Sequence, residues 1–107
     1  MTKFNEALYL EEMYGDGYFP NFLVDKIKGL MAEVVAFLEA GGYTTEEVQA
    51  RFDAMTIAIN DLEEEFEEND SELETGARES IGATVCHIID HFGLPQDCET
   101  LIREREW

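Results

Sequence analysis

Apolar residues recur at steps of three and four along most of this chain. Between Pro20 and Ala40 they fall at Leu23, Ile27, Leu30, Met31, Val34, Val35 and Leu38, a spacing that gathers side chains on one face of a helix. Val48, Phe52, Met55, Ile59, Leu62 and Phe66 form a narrower seam of alternating four- and three-residue steps. Such a seam suits packing that is nearly antiparallel to neighbouring helices. A third run passes through Leu73, Ala77, Ile81, Val85, Ile88 and Phe92. Shorter patterns occur at both ends: Ala7, Leu10, Met13 and Tyr14 within Asn5 to Tyr14, and Cys98, Leu101 and Ile102 after Leu94-Pro95.

The residues between these runs are helix starts and stops. Gly15-Asp16-Gly17 closes the first segment, Gly41-Gly42 the second and Gly93 the fourth, because glycine takes left-handed cap geometry at little cost. Thr44 with Glu47 predicts a capping box at the start of the third helix, and Ser71 with Glu74 predicts another at the fourth. The third helix should then run unbroken to about Asn69-Asp70. No stretch alternates with the two-residue period of a strand. The expected fold class is all-α: an up-and-down bundle of four main helices plus a short C-terminal helix. Its core should include Leu30, Val34, Phe52, Met55, Ile59, Leu62, Ile81, Val85 and Ile88.

A length of 107 residues implies one domain, 1–107. Its charge then narrows the partners. There are 25 acids against 7 Lys or Arg, for a net charge of -18. So few cations cannot neutralise a phosphate backbone, which argues against nucleic acid, and an anionic membrane surface would repel the chain. No apolar run approaches the ~20 residues of a membrane span, and the Met1–Glu6 start does not read as a signal peptide. Cys86 and Cys98 form neither a CxxC pair nor a disulfide framework, so free thiols in a cytoplasmic protein are the expectation.

The charge is gathered most densely from Asp61 to Glu74, where nine of fourteen residues are acidic: Asp61, Glu63, Glu64, Glu65, Glu67, Glu68, Asp70, Glu72 and Glu74. No Lys or Arg occurs between Arg51 and Arg78. Acids at the C-terminal end of a continuous third helix would oppose its macrodipole. A face serving only solubility would intersperse lysines one turn away. The pattern therefore points to a surface kept acidic for a cationic partner, against the plainer reading of a solvated helix face.

Other chemistry is less well supported. An EF-hand frame starting at Asp70 fails, with Thr75 in place of the required Gly and Ile81 in place of the final Glu. His87 and His91 are one turn apart, but a zinc site needs further ligands, and Cys86 points about 100° away from His87. Cys86 and Cys98 both read as small core residues, and the negative field opposes thiolate formation. Neither a catalytic constellation nor a cofactor or metal is expected.

The Gly15–Pro20 loop carries adjacent aromatics, Tyr18 and Phe19, with Phe22 just beyond. They could fold back onto the core, or Tyr18 could stand out as an interface anchor. Tyr18-Phe19-Pro20 with Phe22-Leu23-Val24-Asp25-Lys26 resembles an uncharacterised family of small acidic bacterial proteins. So do Glu65–Asn69, Ser71-Glu72, Glu74-Thr75, Ala77–Glu79 and Arg105-Glu106-Trp107. The resemblance implies a bacterial single-domain protein and no particular activity. Tyr18-Phe19-Pro20 is also similar to the aromatic pair before proline in colicin-type immunity proteins, themselves small, acidic and helical.

The expected function is non-enzymatic: covering a cationic protein surface, as an immunity or inhibitor protein does for a basic toxin or nuclease. The alternative is a regulatory interaction module or nucleic-acid mimic. The expected binding residues are Asp61, Glu64, Glu65, Glu67, Glu68, Asp70, Glu72, Asp16 and Tyr18, carried by a monomer or small homo-oligomer.

Overall fold

In a computed structural model, which describes residues 3–107, the longest helix is α2, Asn21–Ala40. Pro20 precedes it with φ -60° and accepts the N–H groups of Leu23 and Val24 on its carbonyl, the position where proline's missing donor costs nothing. Gly41 and Gly42 both adopt positive φ, 74° and 73°, and turn the chain back into α3, Thr45–Asp61. The expected capping box is present: Glu47 N–H donates to Thr44 Oγ1 at 3.1 Å and Thr44 N–H to Glu47 Oε1 at 2.8 Å. The two helices pack along each other, burying Leu23, Ile27, Met31, Val34, Val35 and Leu38 against the α3 seam of Val48, Phe52, Met55 and Ile59. Leu30 and Leu62, expected in the core, are only partly buried at its edge.

The seam does not continue as one helix. Leu62 N–H bonds to the Ile59 carbonyl, a tightened turn with φ -79° and ψ -12°, and a separate short helix α4 follows, Glu63–Glu68. Asp70 ends α4 in the left-handed region at φ 58°. Its N–H reaches the Glu67 carbonyl and that of Ser71 reaches Phe66, the two bonds of a Schellman motif with aspartate in the usual glycine place.

Ser71 is thereby committed to closing α4, and the expected Ser71 cap fails. Helix α5, Thr75–Phe92, is capped instead by Glu74, which accepts the Gly76 N–H. Gly93 closes α5 with φ 63°, as expected, and Asp97 caps the single-turn α6, Cys98–Leu101.

The first predicted helix is also interrupted. Residues 6–8 form a 3-10 turn, Leu10 sits in the left-handed region at φ 49°, and α1 covers only Glu11–Gly15. Two hydroxyls on α5 hold this break. Thr84 Oγ1 accepts the Leu10 N–H at 2.9 Å, with the Leu8 and Ser80 carbonyls each 3.2 Å away for its own hydrogen. Ser80 Oγ accepts the Met13 N–H and donates to Glu12. Both hydroxyls are buried and both are satisfied, as burial requires.

The fold is all-α as expected, with three long helices, α2, α3 and α5, and the shorter pieces wrapped around them. One apolar core runs from Phe4 to Trp107 and includes Ala77, Ile81, Val85 and Ile88 from α5. No helix among the described residues is long and apolar enough to cross a membrane. One expectation is overturned outright. Cys86 and Cys98 are not free core thiols; they form a disulfide joining α5 to α6 across a Cα separation of 5.5 Å, and both residues are partly exposed. A gap of twelve residues gave no sign of pairing, because the turn at 93–97 that folds α6 back onto α5 is what brings the sulfurs together.

Candidate acidic binding face

The acidic segment is not one helix flank but three short pieces, and they face different neighbours. Asp61 ends α3 and is exposed. Glu63, Glu64 and Glu65 form the first turn of α4, where the helix dipole favours acids instead of opposing them. The expected conflict with a helix C-terminus therefore applies only to Asp61 at the end of α3 and to Glu67 and Glu68 at the end of α4. Asp70 is the left-handed terminator, and Glu72 lies in the loop before α5. Glu64, Glu67, Glu68, Asp70 and Glu72 are all exposed.

Glu65 differs from these. Lys26 of α2 reaches its Oε2 at 2.6 Å, so a cation absent from the sequence neighbourhood arrives from another helix. Among the described residues this is the one ion pair that touches residues 61–74.

The aromatic loop and the acidic loop are joined. Ser71 Oγ donates to the Tyr18 carbonyl at 3.0 Å. Asp16 shapes the turn between them, accepting the Tyr18 N–H on Oδ1 at 3.0 Å and the Phe19 N–H on its carbonyl. Of the three aromatics, Phe19 alone folds inward, edge-on to Phe66, while Tyr18 and Phe22 remain 44% and 50% exposed. Partial desolvation and the charges of Glu72 and Glu74 raise the Tyr18 phenol above its usual range, so that ring lies within the field of the acidic loop. Asp16 is thus a shaping residue, and Tyr18 stands exposed within reach of the charges of Glu72 and Glu74.

The C-terminal segment supplies a wall that the sequence did not indicate as part of the site. Asn60 of α3 clasps it, donating to the Glu104 carbonyl and accepting the Glu106 N–H. Arg78 of α5 donates to the Trp107 carbonyl at 3.1 Å. Between these anchors and α4 lies a cleft of about 350 Å3 bordered by Glu63, Glu67, Glu72 and Glu106, with Trp107 and Arg78 at one side. Glu63 Oε1 is buried there without a hydrogen-bond partner. Burial first, then the charges of Glu106 and Glu67, push its carboxyl above the usual range. The signal for Glu106 and Trp107 was present only as the Arg105-Glu106-Trp107 ending.

Metal chemistry gains no support. Among the described residues no group of three or more His, Cys, Asp or Glu is placed to hold an ion. His87 points to solvent, whereas His91 packs edge-on against Phe4 and Phe92.

No curated protein and no solved structure matches this chain. A family model does match, over residues 3–107. With nearly the whole length covered, the chain belongs to DUF5713, a family of unknown function.

Proposed function

We propose that this chain covers a cationic protein surface with the face formed by α4, the 70–74 loop and Tyr18, as an immunity or inhibitor protein does for a basic toxin or nuclease. One observation carries the reading: among the described residues, Glu65 is the one acid of the nine from Asp61 to Glu74 with a cation partner, and an exposed tyrosine is tied beside them through Ser71. Unpaired carboxylates attract a basic partner over a Debye length of about 8 Å at physiological salt and raise the rate of encounter. An aromatic that surrenders little side-chain entropy supplies the short-range anchor. Charge thus governs association and Tyr18 governs dissociation.

The test reverses Glu64, Glu67 and Glu68 to Lys while leaving the Glu65–Lys26 pair intact. Parent and reversed proteins are used side by side to capture partners from the native host at low and high salt, and the captured protein is then followed by stopped flow. The parent should bind a basic protein whose association slows with salt. The reversed protein should associate at least about tenfold more slowly, with a flattened salt dependence. Equal association rates for the two proteins would reduce the acidic face to a solubility device.

A further inference from the structure

One side of α2 faces away from the core and flanks an open groove against α3. Phe22, Lys26, Gly29 and Glu33 are exposed on it, and Leu30 and Phe37 are half-buried. Two hollows of about 240 and 460 Å3 lie in the groove, with Leu30, Val34, Met55, Ala58 and Leu62 among their apolar walls. The charged side chains that line them are Lys26, Arg51 and Glu33, so cations outnumber acids here in a chain of net charge -18. Phe22 stands at one end, 50% exposed. At the other end the Arg51 guanidinium lies 4.5 Å over the Phe37 ring. Gly29 has no explanation within a single chain. Glycine in a helix interior costs about 1 kcal/mol relative to alanine, yet its φ is not positive and a Cβ there would meet nothing within 4 Å.

The spacing along this face is the same in both directions. From Phe22 to Phe37 the steps are four, three, one, three and four residues. The positions that mirror each other about the centre are also complementary: Phe22 with Phe37, Lys26 with Glu33, and Gly29 with Leu30. We propose that a second copy of this chain covers the groove, its α2 antiparallel to the first about a two-fold axis between Gly29 and Leu30. In such a self-complementary contact each residue faces the one equally far from the centre on the other copy. Leu30 of each copy then rests on the bare backbone at Gly29 of the other, which lets the two helices approach closely. Lys26 meets Glu33 twice, and a phenylalanine pair closes each end.

The charges are free to pair in this way. Lys26 holds Glu65, but its side chain is 48% exposed and an ammonium group has three hydrogens to donate. Glu33 is exposed and has no ion pair among the described residues. Two copies of net charge -18 repel at a distance, yet at physiological salt that repulsion reaches only about 8 Å. At contact the groove brings its local excess of cations. A second copy fits better than a foreign helix because both halves of the complementarity lie on α2 itself.

The test is sedimentation equilibrium of the full chain at physiological salt, from micromolar to submillimolar concentration. The unaltered protein should approach twice its mass of 12.2 kDa. Glu33→Lys sets two lysines against each other and should weaken the dimer by at least about tenfold. The same change lowers the net negative charge, so unspecific association would strengthen instead. Lys26→Glu should also weaken the dimer. The Lys26→Glu/Glu33→Lys protein keeps the parent's net charge and restores both pairs with their signs exchanged. It should dimerise more tightly than Lys26→Glu alone, which shares its lost Glu65 pair. Gly29→Leu enters open space in a single chain, so helix content by circular dichroism should persist while the dimer is lost. A monomer at every concentration would overturn the proposal and leave the groove to a helix of another protein. So would a dimer that Glu33→Lys does not weaken, or one that the double exchange does not recover.

Discussion

Ser71 Oγ donates to the Tyr18 carbonyl at 3.0 Å, and this bond joins two loops 53 residues apart in the chain. Ser71 is only 2% exposed, so water cannot readily replace it. Ser71→Ala should cost about 1–2 kcal/mol in urea unfolding, the usual consequence of leaving a poorly solvated acceptor without its donor. Amide exchange in residues 16–20 should quicken in the same variant. Unchanged exchange there would show that Asp16 alone shapes the loop.

Ile59 and Ile57 lie two residues apart on α3 but in opposite surroundings: Ile59 is fully buried and Ile57 is 47% exposed. Ile59→Ala should cost ~2–5 kcal/mol through lost contacts and the cavity left behind. Ile57→Ala should stay within about 0.5 kcal/mol of the parent. Denaturant midpoints for the pair check the register of the whole α2–α3 hairpin, since a shift of the helix face would exchange the two values.

Salt should stabilise the fold at neutral pH. Five ion pairs among the described residues leave most of the 25 acids unneutralised, and compaction brings Glu63, Glu67, Glu72 and Glu106 around one cleft. Sodium chloride shortens the reach of their repulsion, from about 30 Å at 0.01 M to about 8 Å at physiological ionic strength. The melting temperature should rise across that range. A fall would mean that the few ion pairs outweigh the repulsion.

The parts of this fold that the sequence made legible are those decided within a few residues. Helix α2, the Thr44 capping box and the Gly93 stop each depend on local spacing or on one residue's backbone freedom, and each is where expected. Two of the misses depend on distant partners. Leu10 takes a left-handed conformation because Thr84, 74 residues away, receives its N–H. Ser71 looked like a helix cap, but its hydroxyl serves Tyr18 and its N–H serves Phe66. For the candidate site, residue identities were legible and groupings were not. The run of acids was plain, yet Lys26 neutralises Glu65 from another helix, and Glu106 joins from the far end of the chain.

Glu63 and Asp53 should respond to pH with opposite signs. Burial, then Glu106 and Glu67, raise the Glu63 carboxyl. Folding therefore favours its protonated form, and the stability it contributes is present below the unfolded value of about 4.3 and lost as pH rises through the folded one. For Asp53, burial alone would raise the carboxyl, but hydrogen bonds from Arg103 and Gln49 and the Arg103 charge outweigh it and hold it low. Its contribution is present above the unfolded value of about 3.9 and lost as pH falls through the folded one. Glu63→Gln should accordingly melt higher than the parent at pH 7, with the gain closing toward acid pH. Asp53→Asn should melt lower at pH 7, with its deficit closing over the acid range. Each variant is compared with the parent at every pH, so the changing net charge of the whole protein largely cancels from the difference. A Glu63→Gln protein that melts lower than the parent at pH 7 would mean that this carboxylate has a cationic partner in solution, and the cleft would then be neutralised instead of acidic.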